Sequence, residues 1–136
     1  MRFKEKLVKK IKTEIRVRFG ECDYYQHVNN TVYMTYINIG LSDYLRSIWK
    51  DLKNLPYQIH IVHVGIDFKA SATFDDTLIV ETWVSKVGES SIHFQHTISN
   101  KETGVMIVEA KKICVLLDTK TGIKISVPEE LRKEAA

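Results

Sequence analysis

Residues 31 to 49, TVYMTYINIGLSDYLRSIW, form a helix-periodic segment that is apolar around most of its circumference. Tyr33, Ile37, Leu41, Tyr44 and Ile48 recur at helical spacing, and Val32, Met34, Tyr36, Ile39 and Leu45 carry the apolar surface well beyond one stripe. Such a helix needs cover on several sides. In a chain of 136 residues that cover must come from the remaining segments, and those read as strands. Gly40 falls in mid-helix, where glycine costs about 1 kcal/mol relative to alanine, which is tolerable if another backbone must come close there.

Ahead of the helix, Ile15, Val17 and Phe19 alternate with Glu14, Arg16 and Arg18, which predicts a half-buried strand over 13–19. After the break at KNLPY, the even positions Val62, Val64, Ile66, Phe68, Ala70, Ala72 and Phe74 are all apolar, whereas the odd ones include His63, Asp67, Lys69, Ser71 and Thr73. One long strand with a wet or interface-forming face is expected. FDDT turns the chain, Leu78, Val80 and Val84 continue the alternation to KVGESS, and Ile92, Phe94 and Ile98 lead to a hairpin loop at NKETG. The last long strand, 105–117, is apolar at Met106, Val108 and Ala110 and then at Ile113, Val115 and Leu117, a change of phase near Lys111 and Lys112 that a bulge would produce. DTKTG turns once more, and PEELRK is expected as a short terminal helix with Pro128 at its start. The whole reads as one α+β domain over 1–136, an antiparallel sheet wrapped around a single long helix.

Composition narrows the function. Hydrophobic residues make up 44% and charged residues 27%, ordinary values for a globular protein. An apolar leader and an uninterrupted apolar run of the roughly 18 residues a membrane span needs are both missing, and cysteine is confined to Cys22 and Cys114, so a cytoplasmic, reduced protein without membrane partners is expected. The formal charge of +3 is mild, and its visible source, MRFKEKLVKKIK, reads as the solvated face of an edge strand with a frayed terminus. Nucleic-acid binding would want a denser basic stripe interleaved with aromatics. His60 with His63, and His93 with His96, stand three apart on strands and so point to opposite faces, which leaves no metal site in expectation.

The polar decapeptide ECDYYQHVNN, residues 21–30, lies at the junction of strand and helix. Asn29 and Asn30 stand nearest the helix start and can cap its free N–H groups. Asp23, seven residues upstream of Asn30, is left without that role.

Here the chain resembles the hot-dog thioesterases of the 4-hydroxybenzoyl-CoA thioesterase type, through RFGECDYYQHVNNTVYMTY, IDFKASATFDDTLIVET, GESSIHFQ and the closing PEEL, in that order over nearly the whole length. The resemblance implies a five-stranded antiparallel sheet around a central helix, homodimers or homotetramers with active sites at the dimer interface, and hydrolysis of an acyl-CoA thioester to a free acid and coenzyme A without a cofactor. By the same resemblance Asp23 is the catalytic carboxylate, as base or nucleophile, and the Asn30 backbone N–H polarises the thioester carbonyl. Phe19, His27, Val28 and Asn29 would shape the site, and Tyr33 would line the acyl pocket. Lys69, Lys86 and Ser91 are candidates for the coenzyme-A phosphates. Gln26 departs from the pattern, since many relatives carry glycine there.

The chemistry is consistent with these residue types. Attack on a thioester needs water or a carboxylate at the carbonyl carbon and a donor for the oxygen that becomes negative, and N–H groups at a helix start supply the second. A thiol leaving group, whose ordinary pKa is about 8.5, departs without strong acid assistance. Three rival readings share the fold: an acyl-carrier-protein thioesterase with Cys22 as nucleophile, a hydratase or dehydratase using Asp23 and His27, and a non-catalytic acyl-CoA-binding module.

Overall fold

The computed structural model describes residues 8–135. Its elements are β1 (Ile11–Arg16), α1 (Asn30–Arg46), β2 (Tyr57–Phe68), β3 (Thr77–Val87), β4 (Ser91–Asn100), β5 (Met106–Asp118) and α2 (Glu129–Arg132), with 3-10 turns at Phe19–Glu21 and Leu52–Asn54. The strands form one antiparallel sheet in the order β1-β3-β4-β5-β2. Helix α1, about 25 Å long at 1.5 Å per residue, lies across one face of it and packs mainly on β1, β3 and β4.

The helix starts where its sequence allows a cap: the Asn29 side chain accepts a hydrogen bond from Thr31 N. Tyr33, Tyr36, Ile37, Gly40, Leu41 and Tyr44 face the sheet. Gly40 is required by that packing, because a Cβ there would stand 2.7 Å from Val80 Cγ1 and 2.9 Å from Thr82 Oγ1. The close neighbour is thus a pair of β3 side chains, where a backbone was expected. On the sheet, Leu78, Val80, Thr82 and Val84 of β3 and Ile92, Phe94, His96 and Ile98 of β4 point inward and are buried, which follows the predicted alternation. Pro128 caps α2, and Leu131 is fully buried against the end of the core.

Three expectations are corrected. The first strand ends at Arg16, so Phe19 leaves the core side and stands 80% exposed in the 3-10 turn, edge-on to the ring of Phe74. The strand over the even apolar positions ends at Phe68, and its phase changes at Ile61/His63, where Val62 is left out of the ladder. Tyr57, Ile59 and Ile61 therefore share the inner face with Val64, Ile66 and Phe68, and His60 and His63 both face outward, opposite Val115 and Ile113. In β5 no change of phase occurs at Lys111 and Lys112: Ala110, Lys112, Cys114 and Leu116 all point inward, and Ile113, Val115 and Leu117 face out. The irregularity of β5 comes earlier, between its pairings with Ile98 and Ser99, where Ile107 and Val108 are both buried. The basic start of the chain falls largely outside the described residues; within them, Lys12 is exposed on edge strand β1 beside Glu81.

Candidate active site

The loop from Glu21 to Asn29 folds back on itself like a short hairpin. Glu21 O accepts from Asn29 N at 3.0 Å, Cys22 pairs with Val28, and Asp23 N donates to His27 O at 2.7 Å. Asp23 is thereby held opposite His27, which stands three residues before the helix begins. One carboxylate oxygen, Oδ1, accepts from Tyr25 N (2.9 Å) and His27 N (3.2 Å), while Oδ2 carries no hydrogen bond among the described residues. The side chain thus both closes its own turn and presents a free oxygen on an exposed loop. Gln26 completes the turn at φ +66, the left-handed region that glycine occupies at no cost, which accounts for glycine being common at this position in the resembled pattern.

Asn29, the cap, leaves Asn30 as the first helical residue, and Asn30 N–H has no partner among the described residues. A free donor at the positive end of a long helix is an anion-stabilising group. Thr31 N is occupied by the cap.

The other expected site residues fall into three groups. His27 is exposed on the loop and bridges Thr73 through its backbone. Val28 and Tyr33 are both 2% exposed: Val28 packs in the core, and the Tyr33 hydroxyl accepts from Ala72 N at 2.9 Å with its ring against Phe68. Their role within one chain is to hold the loop and the 70–73 segment onto the helix. Lys69 is exposed just beyond β2. Lys86 and Ser91 flank the β3–β4 turn, at the opposite end of the sheet from Asp23, and do not join it within one chain. Two clefts, one of about 380 Å³ near Leu45, Leu55 and Tyr57 and one of about 450 Å³ near Gly65, Asp67 and Lys111, contain none of these residues.

Sequence reasoning missed Glu21. Its carboxylate accepts from Arg18 N, Arg18 Nη2 and the Tyr36 hydroxyl, tying the start of the loop to α1. The signal was present as an arginine three residues before a glutamate ahead of a helix. The thiol of Cys22 is pushed up, first by burial and then by the nearby carboxylates of Asp23, Glu21 and Asp76, which opposes the thiolate that a cysteine nucleophile needs.

With this geometry, the chain belongs to the Thioesterase-like superfamily, whose family model matches residues 17–134, and it is a thioester hydrolase of the hot-dog fold. Long-chain acyl-CoA thioesterase FadM of Escherichia coli is 25% identical over 128 residues, covering 91% of this chain and 96% of that protein. In structure the chain is similar to a 1,4-dihydroxy-2-naphthoyl-CoA thioesterase from Synechocystis, with a TM-score of 0.84, 19% identity and coverage of 93% and 96%. It is similar also to a variant 4-hydroxybenzoyl CoA thioesterase complexed with 4-hydroxybenzoyl CoA, at a TM-score of 0.82, 20% identity and coverage of 93% and 99%.

Proposed function

We propose that the protein hydrolyses acyl-CoA thioesters to the free acid and coenzyme A, in the cytoplasm and without a cofactor. The observation that carries this is the pairing of an exposed Asp23 Oδ2, unbonded while Oδ1 is pinned, with the unpartnered Asn30 N–H at the start of α1. The thioester carbonyl oxygen takes the Asn30 N–H, and Asp23 either removes a proton from water or attacks the carbonyl carbon itself. Negative charge builds on the carbonyl oxygen against the helix dipole, where removal of one donor typically costs about 10²–10³ in rate. The carbon–sulfur bond then breaks and coenzyme A leaves as the thiolate; the base route gives the free acid at once, with the water proton held on Asp23, whereas the nucleophilic route leaves an acyl–Asp23 anhydride that a water molecule hydrolyses to the acid and the regenerated carboxylate.

The working unit is a homo-oligomer, at least a dimer. Edge strand β2 runs for 12 residues with its outer side unpaired, and it exposes Ile61 (44%), Val62 (59%) and Phe68 (48%). A long apolar edge of this kind invites a second strand. Antiparallel pairing of β2 with β2 of a second copy joins two sheets and turns the partner end for end. Lys86 and Ser91 of that second copy then come to the same end of the joined sheet as Asp23, where coenzyme-A phosphates would meet them.

The test is thiol release over a panel of acyl-CoA and acyl-carrier-protein thioesters, with wild type and Asp23→Asn compared. A fall in kcat/KM of about 10² or more with folding intact, about 2.7 kcal/mol of transition-state stabilisation, is expected. An inactive wild type that binds acyl-CoA would instead identify a binding module.

A further inference from the structure

The Asp23 loop is built into a small ladder three segments wide. On one side Cys22 pairs with Val28 and Asp23 N donates to His27 O; on the other, His27 bridges Thr73 and Val28 N donates to Ala72 O at 2.8 Å. Residues 70–76 are therefore the outer rail of the loop. The sheet holds this rail at both ends: Ala70 N donates to Ile107 O of β5 at 3.3 Å, and just past β1 Val17 N donates to Asp76 O at 2.9 Å while Val17 O accepts from Asp75 N at 3.1 Å. Between those ends, its one hydrogen bond to α1 among the described residues runs from Ala72 N to the Tyr33 hydroxyl at 2.9 Å.

Tyr33 stands three residues after Asn30, about 4.5 Å along the helix at 1.5 Å per residue. One turn of α1 thus carries both the free Asn30 N–H and the hydroxyl that fixes the rail. Tyr33 is 2% exposed and Ala72 0%, so bulk water does not compete for the bond. The Tyr33 ring is packed from two directions, by Phe68 at 5.8 Å between centroids and edge-on by Tyr36 at 6.2 Å, which leaves the hydroxyl little freedom to move. Burial raises the phenol first, with the Ala72 bond opposing it and the charges of Cys22, Asp23 and Asp76 adding to it, so the hydroxyl stays protonated at neutral pH.

We propose that Tyr33 is a positioning residue for thioester hydrolysis: through Ala72, Val28 and His27 its hydroxyl sets where the Asp23 carboxylate stands relative to the Asn30 N–H, and it forms no wall of the acyl site. The inference rests on the thioesterase reading above and deepens it. The path is short. Tyr33 takes Ala72 N, Ala72 O takes Val28 N, and His27, next to Val28, gives its N–H to Asp23 Oδ1 and accepts from Asp23 N. Loss of the first link lets the rail and the loop shift together against the helix start, while Asp23 Oδ2 and the Asn30 N–H are themselves untouched. A misplacement of about 1 Å can cost about 10²-fold in rate, so the defect falls on the chemical step and spares substrate binding.

The test is Tyr33→Phe in the full-length protein, which keeps the ring and removes the oxygen. In thiol release over acyl-CoAs of several chain lengths, kcat should fall tenfold or more by one common factor, with KM within twofold of wild type for every chain. Amide hydrogen exchange in the same variant should quicken at Ala72, Val28 and His27 and keep its wild-type rate in β3 and β4. Asp76→Ala removes the carboxylate that accepts from Thr73 N and Thr73 Oγ1 at the surface, so it loosens the same rail from outside the core and should lower kcat in the same pattern by a smaller factor. Tyr44→Phe, further along α1 in the other half of the core, is the control and should leave kcat unchanged. Where Tyr33→Phe does not fold, Asp76→Ala decides alone. Unchanged kcat in the deciding variant, or a KM defect that grows with chain length, would overturn the inference and leave the hydrolase reading standing. A wild type that hydrolyses no thioester would remove that reading, and the positioning role with it.

Discussion

The Tyr36 hydroxyl donates to Glu21 Oε1 at 2.8 Å, a bond between residues 15 apart that encloses the whole Asp23 loop. The same carboxylate takes Arg18 N and Arg18 Nη2, and Glu21 O takes Asn29 N, so a single residue fastens the loop at its entry, at its exit and to the helix. Burial raises the carboxyl pKa of Glu21, and the hydrogen bonds from Arg18 and Tyr36 more than offset it, leaving the value lowered.

A depressed carboxylate stabilises the fold above its unfolded value of 4.5 and loses that contribution as pH falls through the folded value. Glu21→Gln should therefore be less stable than wild type by about 1–2 kcal/mol near neutral pH, with the gap closing in acid. Urea unfolding at a series of pH values spanning the acid to neutral range reads this directly. Because the loop carries Asp23, kcat should fall several-fold in the same variant.

Gly40→Ala should destabilise despite its better helix propensity. The added methyl would meet Val80 Cγ1 at 2.7 Å, and overpacking of a core typically costs about 1–3 kcal/mol against the roughly 1 kcal/mol gained from removing glycine. Gly20, where a Cβ would meet nothing within 4 Å, is the control. Gly20→Ala should leave the denaturation midpoint within error, and Gly40→Ala should lower it.

Gln26 holds φ +66 between Asp23 and His27. Asparagine and glycine adopt that region more easily than glutamine, and a β-branched residue resists it. Thermal midpoints should run Gln26→Gly at or above Gln26→Asn, then wild type, then Gln26→Val, the last losing about 1–3 kcal/mol. Gln26→Val should also slow turnover, since the turn it strains is the one that orients Asp23.

Much of the fold was legible because the responsible signals are local. The circumferentially apolar run needed cover, Asn29 stood where a cap belongs, and Leu78 to Val84 and Ile92 to Ile98 kept strict alternation. Where local signals misled, a ladder partner decided. Lys111 and Lys112 look like a polar pair that should break the phase of β5, yet Phe94 and Val64 opposite Lys112 keep it inward. Val62 looks like one more apolar even position, but the pairing of Ile61 with Cys114 and His63 with Ile113 leaves it no place in the register. At the candidate site, the loop and the helix start could be read from adjacent residues. The placement of Lys86 and Ser91 at the far end of the sheet could not, because it depends on which strands neighbour which.

Val62 is the one spare link in β2. Loss of a residue of that strand beyond Ile61 or His63 would slide the stretch between it and Val62 by one step and turn side chains such as His60 toward the inner face. Excision of Val62 alone would let Ile61 and His63 become neighbours with their present partners kept, yielding a straighter border to the sheet. The outline against which another molecule must fit is thus set by one surplus valine, and a shorter chain could keep the same interior while presenting a different edge.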